Sequence, residues 1–228
     1  MDEILKYVKE SLSSFKAFTA YVETFFREDE VLNGDLRIVH STKSRIKYEA
    51  HLRQKIERKN ADSIRAGETE KLITKDNVFE KITDICGVRV LHLYQEQATT
   101  IHKRIMDQVA ANEWFLVEQP KAYTWDPESI GFFRELGFET NLKESFYTSL
   151  HYIIRPRVDS IVACEIQVRT LFEEIWGEVD HSLNYPQPTD DLATRELLKV
   201  LARLIGSGSK LTDSIYRIHE NAQKSGET

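Results

Sequence analysis

What this sequence lacks narrows it before any motif is read. It has two cysteines in 228 residues, Cys86 and Cys164, too few for a disulfide framework or a zinc site. Both lie in strand-like patterns, so they are expected to be reduced, buried and structural, in a cytoplasmic protein. No apolar run approaches the roughly 18 residues of a membrane span, and Met1–Glu10 is too charged for a signal peptide. Positive charge is in deficit as well: the formal net charge is −6 and the pI about 5.7. That argues against a general nucleic-acid coat and leaves only a local basic groove. There is no internal repeat, no Gly-x-x-x-x-Gly-Lys-Ser/Thr loop and no Gly-x-Gly-x-x-Gly, so neither common nucleotide-binding fingerprint is present.

What remains is an ordinary soluble composition, 41% hydrophobic and 30% charged. It fits one large domain or a domain with a helical appendage. Its most informative stretch is Ala163–Thr170, which alternates strictly. Glu165, Gln167 and Arg169 point one way, and Cys164, Ile166 and Val168 the other. An acid, an amide and a base therefore share one strand face. Alone, the segment reads equally as a solvated edge strand. Leu171–His181 follows with helical spacing of Phe172, Ile175, Trp176 and Val179.

Taken in order, residues 3–27 predict one or two packed helices. Asn33-Gly34-Asp35 is a turn signal, and Leu36–Val39 a short strand or extended lead-in. Lys43–Lys59 reads as a basic helix capped by Ser41 or Thr42, with Lys47, His51, Lys55 and Lys59 on one face. That row is either a solvated charge face or a seat for an anion such as a triphosphate. Residues 60–78 read as a loop or frayed helix. The clearest strand is Thr83–Leu93, with apolar residues on both faces beyond Asp84. Asp84 at its mouth either caps a turn or is paired or metal-bound.

Thr99–Ala111 predicts a helix covering the sheet. Residues 112–145 are loop-rich, and Trp125, Phe132, Phe133 and Phe138 there read as a satellite core rather than a lid. Ser145–Ile154 is again a strand, with Tyr147, Ser149 and His151 on one face, and its residues 147–154 are expected to pair antiparallel with 162–169. Tyr185–Pro188 breaks the chain after a helix over 171–185. Residues 190–221 predict a long helix interrupted at Gly206-Ser207-Gly208, which closes the core or supplies a subunit interface.

Asp84 and Glu165 on neighbouring strands would suit one Mg²⁺ ion. Together with a basic helix and an aromatic platform they suit phosphoryl or pyrophosphoryl transfer from a nucleotide.

Four motifs resemble the synthetase domain of the RelA/SpoT family, and within it the small alarmone synthetases that lack a hydrolase domain. They are Arg45-x-Lys47 with Lys55, Asp84-Ile-Cys-Gly-Val-Arg89, Tyr147-Thr-Ser-Leu-His151, and Glu165-Ile-Gln167-Val-Arg169-Thr170 followed by Trp176 and Asp180-His181. The resemblance implies an α/β (α+β) nucleotidyltransferase-like mixed sheet flanked by helices. The expected division is a helical segment over 1–35, a synthetase domain over 36–188 and a helical extension over 189–228.

It further implies transfer of the β,γ-pyrophosphate of ATP to the 3′-hydroxyl of GDP or GTP. Asp84 and Glu165 would bind Mg²⁺, and Glu165 alternatively takes the 3′-proton. Arg45, Lys47, His51, Lys55 and Arg89 would hold ATP. Tyr147 would stack on the acceptor base, with Lys143, His151, Gln167 and Arg169 around it.

Two departures bear on the acceptor. Ser145-Phe146 stands where the guanosine-acceptor enzymes carry Asn-Gly, so the loop is expected to be reshaped. His51 stands where Ser is common. A toxin-type branch of the family modifies the 3′ end of tRNA or an adenosine nucleotide and has an antitoxin partner. A homo-oligomer through the C-terminal helices and a degenerate, nucleotide-binding chain complete the alternatives.

Overall fold

In the computed structural model, which describes residues 1–34, 37–184 and 189–226, the alternating stretch becomes the strand β7 (Cys164–Thr170). It is buried along its whole length. The elements before it run α1 (Asp2–Glu28), α2 (Glu30–Asn33), β1 (Ser41–Ile46), α3 (Glu49–Arg65), α4 (Val78–Lys81), β2 (Cys86–His92) and α5 (Gln97–Ala110). Then come β3 (Phe115–Leu116), β4 (Lys121–Thr124), α6 (Ser129–Glu135), β5 (Glu139–Leu142) and β6 (Ser149–Arg155). After β7 follow α7 (Leu171–Asn184) and α8 (Leu192–Gly226).

Among the described residues, seven strands form one sheet in the order β1-β2-β7-β6-β4-β5, with β3 also on β6. The pairs β2·β7 and β4·β5 are parallel and the rest antiparallel. The sheet is therefore mixed, and helices flank it. Strand β7 lies between β2 and β6 rather than at an edge, which removes the solvated-edge reading of its polar face. The apolar alternates Val88, Val90, Ile166 and Val168 form the core with Phe15, Val22 and Phe26 of α1. Helix α1 buries one stripe at helical spacing.

Several segments differ from their sequence patterns. The basic stretch is not one helix. Residues 41–46 are the edge strand β1, registered Arg45↔Gly87 on β2. Lys47 extends the pairing by donating its N–H to Ile85 O at 2.8 Å. Strand pairing captures these residues, and α3 begins only at Glu49 after Tyr48, with no side-chain cap. Neither Ser41 nor Thr42 caps it, and Lys47 lies off the helical row of His51, Lys55 and Lys59. Ile38 and Val39 are buried but not in a strand.

Residues 60–78 are not loose. Asn60 and Ile73 exchange two hydrogen bonds of 2.7 and 3.3 Å, and Ile73 is buried. The loop-rich stretch 112–145 contains β3, β4, α6 and β5. Phe133 and Phe138 enter the core and Phe132 packs against it.

Helix α8 runs unbroken through Gly206 and Gly208. A Cβ at Gly206 would lie 2.9 Å from the Trp125 ring, and one at Gly208 would lie 2.8 Å from Phe172. Close packing of two aromatic rings offsets the roughly 1 kcal/mol that each helical glycine costs. The expected break at Tyr185–Pro188 lies outside the described residues.

Candidate active site

The sheet register assembles a polar surface from strands far apart in sequence. Lys43 of β1, Arg89 of β2, Gln167 of β7, His151 of β6 and Lys121 of β4 stand opposite one another, pair by pair. A second row runs Arg45, Gly87, Glu165 and Ile153. In-register partners share a face, so Gln167 has a polar neighbour on each side, Arg89 and His151.

Three of these side chains close a hydrogen-bonded ring with Arg169 and Tyr147. Arg169 Nη2 donates to Gln167 Oε1 at 2.7 Å, and Gln167 Nε2 donates to Glu165 Oε2 at 2.6 Å. On the other side Arg169 Nη2 donates to the Tyr147 hydroxyl at 3.3 Å. The Tyr147 hydroxyl lies in turn 2.9 Å from His151 Nε2, and His151 Nδ1 lies 2.9 Å from Glu165 Oε1. An ionised Glu165 can only accept, so His151 Nδ1 is the donor in that contact. Both arms then begin at the guanidinium and end on the two oxygens of one carboxylate. Burial raises the pKa of Glu165, but the hydrogen bond from His151, with help from Gln167, brings it below the ordinary value. Glu165 is held ionised.

Asp84, just ahead of β2, is the second centre. Lys47 Nζ and Lys55 Nζ each lie 2.6 Å from its Oδ2. Burial opposes ionisation there, yet the two ammonium groups prevail and hold the carboxyl at about 2. Burial lowers the pKa of Lys47, with Asp84 pulling against it. The strand–turn–helix geometry is what brings Lys47 and Lys55 to one oxygen. They do not sit together on a helical face.

Helix α7 covers part of the polar face with acids that the sequence patterns did not single out. Glu174 Oε1 lies 2.9 Å from Arg89 Nη1, and its Oε2 3.3 Å from Arg169 Nη1. Glu178 pairs with Arg89 and with Lys43, the latter at 3.3 Å. Arg89 therefore faces α7, paired with acids. The available signal was the i, i+4 spacing of Glu174 and Glu178 opposite a strand bearing arginines.

Arg45 and His51 are exposed, outside the two clusters. His51 meets the exposed ring of Tyr48 edge-on, 6.2 Å away. Lys143 lies 4.5 Å over the ring of Tyr123, which sits 4.8 Å from the His151 ring. Tyr147 has Arg169 over its own ring at 5.4 Å.

Before Tyr147, Phe146 adopts φ of 56°, the left-handed region that suits glycine and strains a bulky residue. The loop thus holds Phe146 in a backbone conformation that glycine adopts without strain. The Phe146 ring packs 5.1 Å from Trp125, which rests on Gly206 of α8.

Among protein families, the one described as "Region found in RelA / SpoT proteins" matches residues 44–190. The chain belongs to the RelA/SpoT family. The matched RelA/SpoT region contains both acids, both lysines and the whole ring, while α1 and α8 lie outside it.

A GTP pyrophosphokinase of Bacillus subtilis, YwaC, is 25% identical over 169 residues. The alignment covers 72% of this chain and 66% of that protein. The small alarmone synthetase 1 of Bacillus subtilis, solved with its product pppGpp, superposes with a TM-score of 0.66 at 20% identity, covering 96% and 99% of the two chains. A GTP pyrophosphokinase family protein from Streptococcus pneumoniae gives 0.64 at 19% identity, covering 95% of each. These likenesses establish the RelA/SpoT synthetase fold.

The RelA/SpoT site also fits a hard divalent cation. Asp84 Oδ1 is buried with no hydrogen-bond partner, leaving a carboxylate lone pair open. Asp84 is near enough to Glu165 for its charge to oppose that acid's ionisation. Among the described residues no three acids, histidines or cysteines converge. Two carboxylates would leave the rest of a magnesium shell to water and phosphate oxygens, which is the shell magnesium prefers.

Proposed function

We propose that this chain is an ATP:guanosine-nucleotide 3′-pyrophosphotransferase, converting GDP or GTP and ATP into (p)ppGpp and AMP. The observation that carries the reading is the convergence of two donor arms on an ionised Glu165, beside an Asp84 held by Lys47 and Lys55.

Glu165 has a hydrogen bond on each oxygen and one lone pair left on each. It is positioned to take the proton of the acceptor 3′-hydroxyl. The freed 3′-oxygen attacks the β-phosphorus of ATP. The bond from that phosphorus to the α,β-bridging oxygen breaks, and AMP departs with the oxygen.

Lys47 and Lys55, already at the mouth of β2, would share their charge with the triphosphate. Arg45 would approach it from the edge strand. Tyr147, flanked by Lys143 on Tyr123, supplies the aromatic surface for the acceptor base. Asp84 and Glu165 would hold Mg²⁺, whose charge offsets that of the reacting phosphates.

The test is transfer of label from γ-labelled ATP, with Mg²⁺, to GDP, GTP, ATP and deacylated tRNA offered separately. Label on GDP or GTP supports the proposal. Label on tRNA or ATP alone replaces the acceptor, and no transfer to any of them rejects the reaction.

A further inference from the structure

Arg169 is 4% exposed, and a guanidinium taken out of water is costly unless its charge is met. Its Nη2 is committed to the ring, donating to Gln167 and to the Tyr147 hydroxyl, both uncharged acceptors. Its Nε is buried without a hydrogen-bond partner. Among the described residues, the one acid in ion-pair contact with it is Glu174, 3.3 Å from Nη1. Glu174 is itself 8% exposed. Its Oε2 makes no hydrogen bond, so this contact holds by charge rather than by directed bonding.

Gly177 shapes the same spot from further along α7. Positions three apart share a helix face, and a Cβ at Gly177 would lie 2.9 Å from Arg169 Nη1. Beyond the local helix backbone, no other atom lies within 4 Å of that point. A glycine inside a helix costs about 1 kcal/mol relative to alanine, and here the guanidinium is what fills the space of the missing methyl. An acid and a gap on one helix face therefore define where Nη1 sits.

The consequence falls on the aromatic surface beside Glu165. With Nη1 seated, Nη2 reaches both arms of the ring. The guanidinium also lies 5.4 Å over the ring of Tyr147, a cation–π contact. Tyr147 is only half-buried, which leaves ring surface for a base. A shift of Arg169 would break the 2.7 Å bond to Gln167 and release Tyr147, and misplacing a positioning group by about 1 Å suffices to slow a reaction severely.

We propose that Glu174 and Gly177 are positioning residues for the acceptor nucleotide: they seat Arg169, which in turn orients Tyr147 and Gln167. Glu178, one turn on, pairs with Arg89 and Lys43 but not with Arg169, so it does not share this role. The inference rests on the proposed reaction, with a guanosine nucleotide as acceptor.

The test is steady-state kinetics with ATP and GDP or GTP varied in turn, beside calorimetric titration of the acceptor nucleotide alone. Wild type is compared with Gly177→Ala, Glu174→Gln and Glu174→Asp. In Gly177→Ala the clash falls on the far end of one flexible side chain while the helix gains, so the melting temperature should hold or rise. Its acceptor kcat/KM should nevertheless fall on the order of 10-fold or more, the worth of a hydrogen bond to a charged group. Its ATP KM should not change, and calorimetry should show the same loss of acceptor affinity without turnover.

The two Glu174 variants separate charge from packing. Gln keeps the shape and loses the charge, whereas Asp keeps the charge and loses a methylene. A charged seat makes Gln the more harmful to acceptor kinetics, and simple packing between β7 and α7 makes Asp the more harmful. Normal acceptor kinetics in Gly177→Ala, equal rises in both KM values, or Asp worse than Gln would each overturn the proposal while leaving the reaction standing. A wild type that transfers nothing to GDP or GTP would remove the reaction itself, and the proposal with it.

Discussion

His151 and Glu165 meet across neighbouring antiparallel strands, Nδ1 to Oε1 at 2.9 Å, although 14 positions separate them. The contact holds the carboxylate ionised inside a covered sheet. Replacing His151 by Ala removes its largest favourable partner, so the pKa of Glu165 rises. The acid limb of the pH–rate profile should move to higher pH, with the maximal rate down about 10- to 100-fold. Glu165→Gln should cost on the order of 10²–10⁴, the range of a lost general base. Rate profiles of the two variants test the relationship.

Acid stability should report on Asp84. Its carboxyl is held at about 2 against an ordinary 3.8, a difference worth about 2 kcal/mol. A lowered carboxyl pKa stabilises the fold above the unfolded value, and that gain disappears as pH falls through the folded value. Stability by urea denaturation should therefore decline between about pH 4 and pH 2 in wild type. Asp84→Asn should lack this component, and at neutral pH it should leave Lys47 and Lys55 without their shared partner.

Phe146 tests the acceptor loop. Phe146→Gly relieves a left-handed backbone costing about 1–2 kcal/mol. It also loses a ring pair worth about 0.5–1.5 kcal/mol beyond its burial. Melting temperature should change little. The acceptor KM should rise several-fold while the ATP KM stays constant, and Trp125→Ala should reproduce the same split. Steady-state kinetics with each substrate varied in turn provides the check.

Two glycines should respond oppositely to Ala. A Cβ at Gly131 in α6 would point into open space, with nothing within 4 Å, so Gly131→Ala should stabilise by about 0.5–1 kcal/mol. Gly208 would drive its Cβ to 2.8 Å from Phe172. There the overpacking, about 1–3 kcal/mol, outweighs the helix gain. Thermal melts of the two variants distinguish them.

Much of the sheet could be read from the chain because its central strands alternate strongly. The antiparallel pairing of β6 and β7 and the long helices followed from local periodicity. The parts that did not follow depend on partners distant in sequence. Residues 41–46 became a strand because β2 offers them an edge, although their basic composition fits a helix equally well. Gly206 and Gly208 stay helical because Trp125 and Phe172 press there, and no local signal encodes that. In the site, the polar alternates of β7 were visible, but their closure into a ring required the register of β6. The acids of α7 were overlooked because only the fold carries them over Arg89 and Arg169.

The most direct measurement of the proposed reaction is the fate of ATP when it is incubated with GTP and Mg²⁺. Products should be separated by anion exchange and identified by mass and ³¹P spectra. AMP and a guanosine nucleotide bearing a new 3′-pyrophosphate should appear in equal amounts, and both should be lost in Glu165→Gln. Release of ADP and phosphate, or of AMP and free pyrophosphate with GTP unchanged, would contradict it.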